Sequence, residues 1–122
     1  MSAEDVFNGN VCCRVDALYE GVDDSSKIDA ALETLKGIEK TLQEFRLEIA
    51  ENEISRMLAV QLATQYSKIA GIFVDLENYF NDTKGGRDAA FDDGDVKKKI
   101  DNMHLILNGF VDMAKEVDRQ NK

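Results

Sequence analysis

Three glutamates, Glu44, Glu48 and Glu51, follow one another at steps of four and three residues. This spacing places them on one side of an α-helix. Carboxylates on facing helices can hold Mg²⁺ and activate water for hydrolysis, provided that acids of a second helix project toward the first. In the next helical segment Asp75 and Glu77 point about 160° apart, so they cannot complete such a set. The pattern favours a solvated charged face over a carboxylate–metal hydrolase.

Other potentially catalytic residues also lack the partner residues that their chemistry requires. His104 is the only histidine, preceded at three residues by Asp101, whereas a di-metal helical bundle needs paired Glu-x-x-His elements. No serine or cysteine stands beside a base in a nucleophile motif. Residues 84–87, Lys-Gly-Gly-Arg, lack the glycine–lysine order of a phosphate-binding loop. We therefore predict a non-enzymatic protein with no cofactor and no metal.

The charge balance bears on possible partners. The chain has 24 acidic and 15 basic residues, a formal net charge of −9. Clustered lysine and arginine are needed to bind phosphate backbones or anionic membranes, so direct binding of nucleic acid or membrane is disfavoured. A basic protein partner is compatible with this charge. One hypothesis is therefore an acidic inhibitor, of the immunity or DNA-mimic type, that occupies a basic cleft with Glu44, Glu48, Glu51 and Glu53.

Composition indicates a single all-α domain over residues 1–122. Proline is absent and 43% of residues are hydrophobic, which favours long helices around a shared core. The longest apolar run, Ile69–Val74, is too short to cross a bilayer. Cys12 and Cys13 are neighbours, a geometry poorly suited to a disulfide, so we expect reduced thiols and a cytoplasmic location.

Apolar residues at steps of three and four predict four helices. The expected fold is an antiparallel four-helix bundle. The predicted limits are about Ala3–Glu20, Ser26–Glu51, Ile54–Asn81 and Val96–Arg119, with a polar connection at 82–94.

Local signals mark the helix ends. Ser2 and Ser26 each begin a capping-box pattern, Gly21 is a stop signal, and Asp95 is a candidate cap of the last helix. The join at residues 51–53 leaves two possibilities open. We favour a chain reversal with Asn52 as a cap. In the alternative, a long helical hairpin completes its core by forming a dimer.

The third helix has a second unusual side. Small residues at roughly four-residue spacing would let another helix approach closely, by analogy with small-xxx-small packing in membranes. Together with Val60 and Ile72 they suggest a helix that is buried on two sides, either as the central helix of the bundle or as the helix that forms a dimer interface. The candidate interaction residues are Ala59, Ala63, Ser67, Ala70, Gly71 and Val74.

These features favour a protein–protein interaction module, acting as an adaptor, regulator or small structural component. Leu47 and Leu105 lie away from the apolar seams of their helices, which adds to the apolar surface expected outside the core. Self-association as a homodimer is the predicted use of that surface.

Overall fold

The computed structural model describes residues 15–89 and 91–121. Within these ranges the secondary structure is helical and contains no strand, so the predicted all-α four-helix bundle is confirmed. The start of the predicted first helix, its Ser2 cap, Cys12 and Cys13 lie outside the described residues. The helices are α1 (Val15–Asp23), α2 (Ile28–Ala50), α3 (Arg56–Lys84) and α4 (Asp93–Gln120).

One hydrophobic core is shared by all four helices. Phe45 of α2, Phe80 of α3 and Phe110 of α4 are completely buried. The rings of Phe45 and Phe110 meet edge to face with their centres 6.1 Å apart, a favourable geometry for aromatic pairs. Burial of each such ring contributes about 2–3 kcal/mol. The core therefore lies along the seams that the three- and four-residue spacing predicts.

Polar bonds between helices fix which ends lie together. Lys84 at the end of α3 forms a 2.5 Å salt bridge with Asp29 near the start of α2. Lys97 of α4 forms one of 2.7 Å with Asp23 at the end of α1. These pairs are exposed, and exposed pairs stabilise a fold by at most about 1 kcal/mol each. Their main role is to define helix register at this end of the bundle.

The chain reverses between α2 and α3, as predicted. Asn52 donates its side-chain N–H to the carbonyl of Glu48, 2.7 Å away, and so caps the end of α2. Ser55 caps α3 by accepting the backbone N–H of Leu58 at 3.2 Å. The last turn of α4 holds this connection, because Gln120 Oε1 accepts the N–H of Ser55 at 2.8 Å. Residues 28–84 therefore form two helices and not one long helix.

Three residues predicted to start or end helices have different roles in the structure. Gly21 does not end α1, which continues to Asp23 because this glycine packs inside the core. Asp24, rather than Ser26, accepts the capping hydrogen bond before the short 3₁₀ turn Ser25–Lys27. Asp92, rather than Asp95, caps α4 by accepting the Asp95 N–H at 2.8 Å. The predicted 82–94 connection shortens to residues 85–92, since both flanking helices extend into it.

Replacement of Gly21 by alanine is expected to destabilise the protein. A methyl group there would lie 2.6 Å from the Cβ of Ala31 and 3.1 Å from the Phe80 ring. Overpacking costs about 1–3 kcal/mol, which exceeds the gain of about 1 kcal/mol in helix propensity. Urea denaturation should show a lower free energy of unfolding for Gly21→Ala than for the wild type.

Gly109→Ala is the matched control, because a methyl group at this position in α4 meets nothing within 4 Å. Only the propensity gain then applies, and the free energy of unfolding should rise by up to about 1 kcal/mol. Equal stabilisation by both substitutions would show that α1 is not packed closely against α2 and α3.

Candidate interaction surface

The six predicted interaction residues form one exposed face of α3, here called the small-residue surface. Ala59, Ala63, Ser67, Ala70, Gly71 and Val74 are all solvent-exposed. The opposite side of the helix is buried and carries Leu58, Leu62, Ile69, Leu76 and Phe80. Within the described part of the chain α3 is therefore not the central helix of the bundle, whereas its use as a dimer interface stays a prediction. Four helices fill the core by using only one side of α3.

A groove between α2 and α3 runs beside this surface. Its larger part has a volume of about 500 Å³ and is lined by Ala59, Ala63, Ser67 and Ala70 from α3 and by Ile49 from α2. A second part of about 290 Å³ continues toward Val74 and Glu77. The groove exists because α3 presents alanine and serine to it, whose side chains are too short to fill the gap between the helices.

Tyr66 and Arg46 line both parts of the groove. The Tyr66 hydroxyl donates to the carbonyl of Leu42 at 3.2 Å, and its ring packs against Phe110 with centres 4.8 Å apart. Arg46 places its guanidinium 5.8 Å from the centre of the Tyr66 ring, a cation–π distance. Burial raises the pKa of Tyr66 well above its usual value.

The small-residue surface carries no charge between Arg56 and Glu77. Two charged residues occur in this interval, and both lie toward α4. Lys68 lines a groove between α3 and α4, and Asp75 forms a 2.9 Å salt bridge with Lys99 of α4. In a chain with 32% charged residues, a solvent-facing stretch of about five helical turns without charge is unusual.

Larger apolar side chains are exposed on this surface or beside it. Met57, Val60 and Val74 are exposed by 74%, 58% and 56%. As predicted, Leu47 and Leu105 are also exposed. Apolar side chains exposed together along one side of a helix are typical of a protein–protein contact.

The candidate acidic residues lie elsewhere. Glu44, Glu51 and Glu53 are exposed, and Glu48 is half-buried. Glu44 is two positions before Arg46, so helix geometry turns it about 200° away from the groove. Glu53 lies in the α2–α3 connection, where its backbone carbonyl accepts a 2.8 Å hydrogen bond from the Asn121 amide. The structure therefore does not bring the two predicted sites together.

Other candidate residues have structural roles. Asp101 accepts the hydroxyl of Tyr19, a bond that joins α4 to α1. His104 is half-buried on α4. In residues 15–89 and 91–121, no group of three or more histidines, cysteines and carboxylates is arranged to hold a metal ion.

Four residues on or beside the surface were not predicted from the sequence: Arg46, Tyr66, Arg56 and Glu77. Arg56 and Glu77 continue the seven-residue spacing of Ala63 and Ala70 in both directions. That spacing is a signal that could have found them. Arg46 and Tyr66 could not be found in this way, because they meet only when α2 folds back on α3.

The stability contribution of Tyr66 is expected to decline at alkaline pH. Between about pH 10 and its raised pKa, Tyr66 stays neutral in the folded protein and ionises in the unfolded chain. The unfolded state then binds fewer protons, so the free energy of unfolding falls as pH rises. Urea denaturation at about pH 9 and about pH 11 should show that Tyr66→Phe removes part of this decline.

Tyr79→Phe gives a second measurement, since burial and a 2.6 Å hydrogen bond to Asp93 raise the pKa of Tyr79 to about 12. Tyr79→Phe should also reduce the fall in the free energy of unfolding as pH rises. If the difference in unfolding free energy between wild type and Tyr66→Phe does not change with pH, the Tyr66 hydroxyl is not buried at the groove.

No helix in the described part of the chain combines the length and apolar character needed to cross a membrane. Comparison of the chain with protein-family models, with curated proteins and with solved structures finds no match in any of the three.

Proposed function

We propose that this protein is a non-enzymatic, cytoplasmic interaction module that self-associates through the small-residue surface of α3. In this role it acts as an adaptor, a regulator or a small structural component. The observation that carries the proposal is the uncharged, solvent-facing side of α3 between Arg56 and Glu77. Removal of that surface from water upon association is favourable, at about 25 cal/mol per Å² of apolar area.

The chemistry of the surface favours a second copy of the chain as the partner. Each molecule carries a net charge of −9, so two copies repel each other over most of their surfaces. The small-residue surface is where two copies meet with little charge repulsion. Its alanines and glycine also present little side-chain bulk, which allows two helices to pack closely.

Formation of a homodimer would fill part of the groove. A helix laid along α3 would lie beside the gap lined by Ala63, Ser67 and Ala70, and its side chains would fill space that the alanines leave. Helix-in-groove packing is a common mode of recognition between helical proteins. The acidic-inhibitor and carboxylate–metal alternatives remain predictions from sequence, because no contact among the described residues favours them.

Light scattering and sedimentation velocity test this proposal between about 1 µM and about 1 mM protein. The wild type should approach about 27 kDa, twice the chain mass of 13.7 kDa. Ala63→Glu places a charge on each copy at the contact, where it is desolvated and faces its own repeat. The dimer should weaken at least tenfold in this variant.

Ala30→Glu is the matched control, since Ala30 is likewise an exposed helical alanine but belongs to α2, away from the groove. It adds the same charge and should leave the association unchanged. Circular dichroism checks that both variants remain folded. A wild type that stays at 13.7 kDa at the highest concentration, or equal weakening by both variants, contradicts the proposal.

A further inference from the structure

Two opposite charges mark the ends of the small-residue surface. Arg56, Ala63, Ala70 and Glu77 follow one another at intervals of seven residues, which keeps them on nearly the same side of α3. Arg56 and Glu77 are both exposed. Neither forms a salt bridge with another residue in the described part of the chain.

Several residues of the surface are related by one midpoint along α3. Ala63 and Ala70 are equally distant from a midpoint between Tyr66 and Ser67, and Ala59 and Val74 are also equally distant from it. At the same midpoint, Arg56 is the counterpart of Glu77. A two-fold interface requires this kind of relation, because residue i of one copy meets residue j of the other and the reverse.

We propose that two copies pack α3 against α3 in opposite directions, about a two-fold axis that passes between Tyr66 and Ser67. This inference rests on the proposed self-association and adds its orientation and register. Ala63 of each copy contacts Ala70 of the other. Arg56 of each copy forms a salt bridge with Glu77 of the other, so both exposed charges gain a partner.

Charge disfavours the parallel arrangement of the same two faces. With the helices in register and parallel, Arg56 would face Arg56 and Glu77 would face Glu77. Like charges across an interface are unfavourable and act against the wrong orientation. The opposite orientation replaces both repulsions with attractions, while the small residues in the middle tolerate either direction.

Disulfide cross-linking tests the register. In a Cys12→Ser/Cys13→Ser background, an equimolar mixture of Ala63→Cys and Ala70→Cys should form a covalent dimer upon mild oxidation. Each variant alone should not, because its two cysteines would lie seven residues apart along the helices. That distance is about 10 Å, beyond the usual Cα–Cα limit of about 7 Å for a disulfide. Efficient cross-linking of Ala63→Cys with itself indicates a parallel dimer and overturns the inference.

Charge exchange tests the end contacts by a second route. Arg56→Glu and Glu77→Arg should each weaken the dimer by roughly tenfold, since each replaces two attractions with two repulsions. The double variant Arg56→Glu/Glu77→Arg restores both pairs and should bring the dissociation constant back to within about threefold of the wild type. Failure of the double variant to recover overturns the pairing.

The two proposals can fail separately. A wild type that stays monomeric at high concentration overturns both, and the surface would then be left for a different protein. If the dimer is disrupted by Ala63→Glu but cross-links only in the parallel pattern, the proposed function stands and this register is overturned. The same conclusion follows if the dimer is disrupted by Ala63→Glu but charge exchange does not change its dissociation constant. Circular dichroism of each cysteine variant confirms that the compared proteins are folded.

Discussion

The reversal of the chain at residues 51–55 is the constraint on which the rest of the structure depends. Placed end to end, α2 and α3 would turn their apolar seams toward nearly opposite directions. A break in the helix is needed before both seams can enter one core. Asn52 ends α2, Ser55 begins α3, and the last turn of α4 holds the connection through Gln120 and Asn121. No glycine or proline takes part.

This reversal also decides which side of α3 meets water. Once Leu62, Ile69 and Leu76 face the core, the alanines between them must point outward. An ordinary surface helix would carry lysine and glutamate at such positions. The chain carries Arg56 and Glu77 only at the two ends of the face. The apolar surface and its charged ends therefore follow from one folding event, and they give the proposed self-association both its attraction and its orientation.

The groove follows from the different sizes of the residues on α2 and α3. Tyr66 bridges α3 and α2 near the middle of the groove, because its hydroxyl donates to the Leu42 carbonyl and its ring packs on Phe110. On either side of it, the alanines of α3 are too short to reach α2. The Tyr66 ring, which packs against the core, thus also contacts the Arg46 guanidinium beside the groove. Core packing and the candidate surface share these residues, so changes at Tyr66 act on both.

Much of this architecture can be predicted from sequence, because it depends on local periodicity. Most positions of the α2, α3 and α4 seams become buried, and Leu32, Ile49 and Phe73 are partly buried at the margin of the core. Local end signals are less reliable. Gly21 reads as a stop signal, yet its lack of a side chain is needed for close approach to Ala31 and Phe80. Asp92 and Asp95 are both good caps, and only helix geometry selects Asp92.

By itself the sequence determined an all-α chain, its apolar seams, its exposed leucines and the small residues along one side of α3. Only the tertiary structure decided that this side faces solvent instead of a second helix of the same chain, and that Tyr66 and Arg46 stand beside it. The physical reason is that periodicity specifies which residues share a face of a helix, whereas the partner of each face depends on how all four helices divide one core.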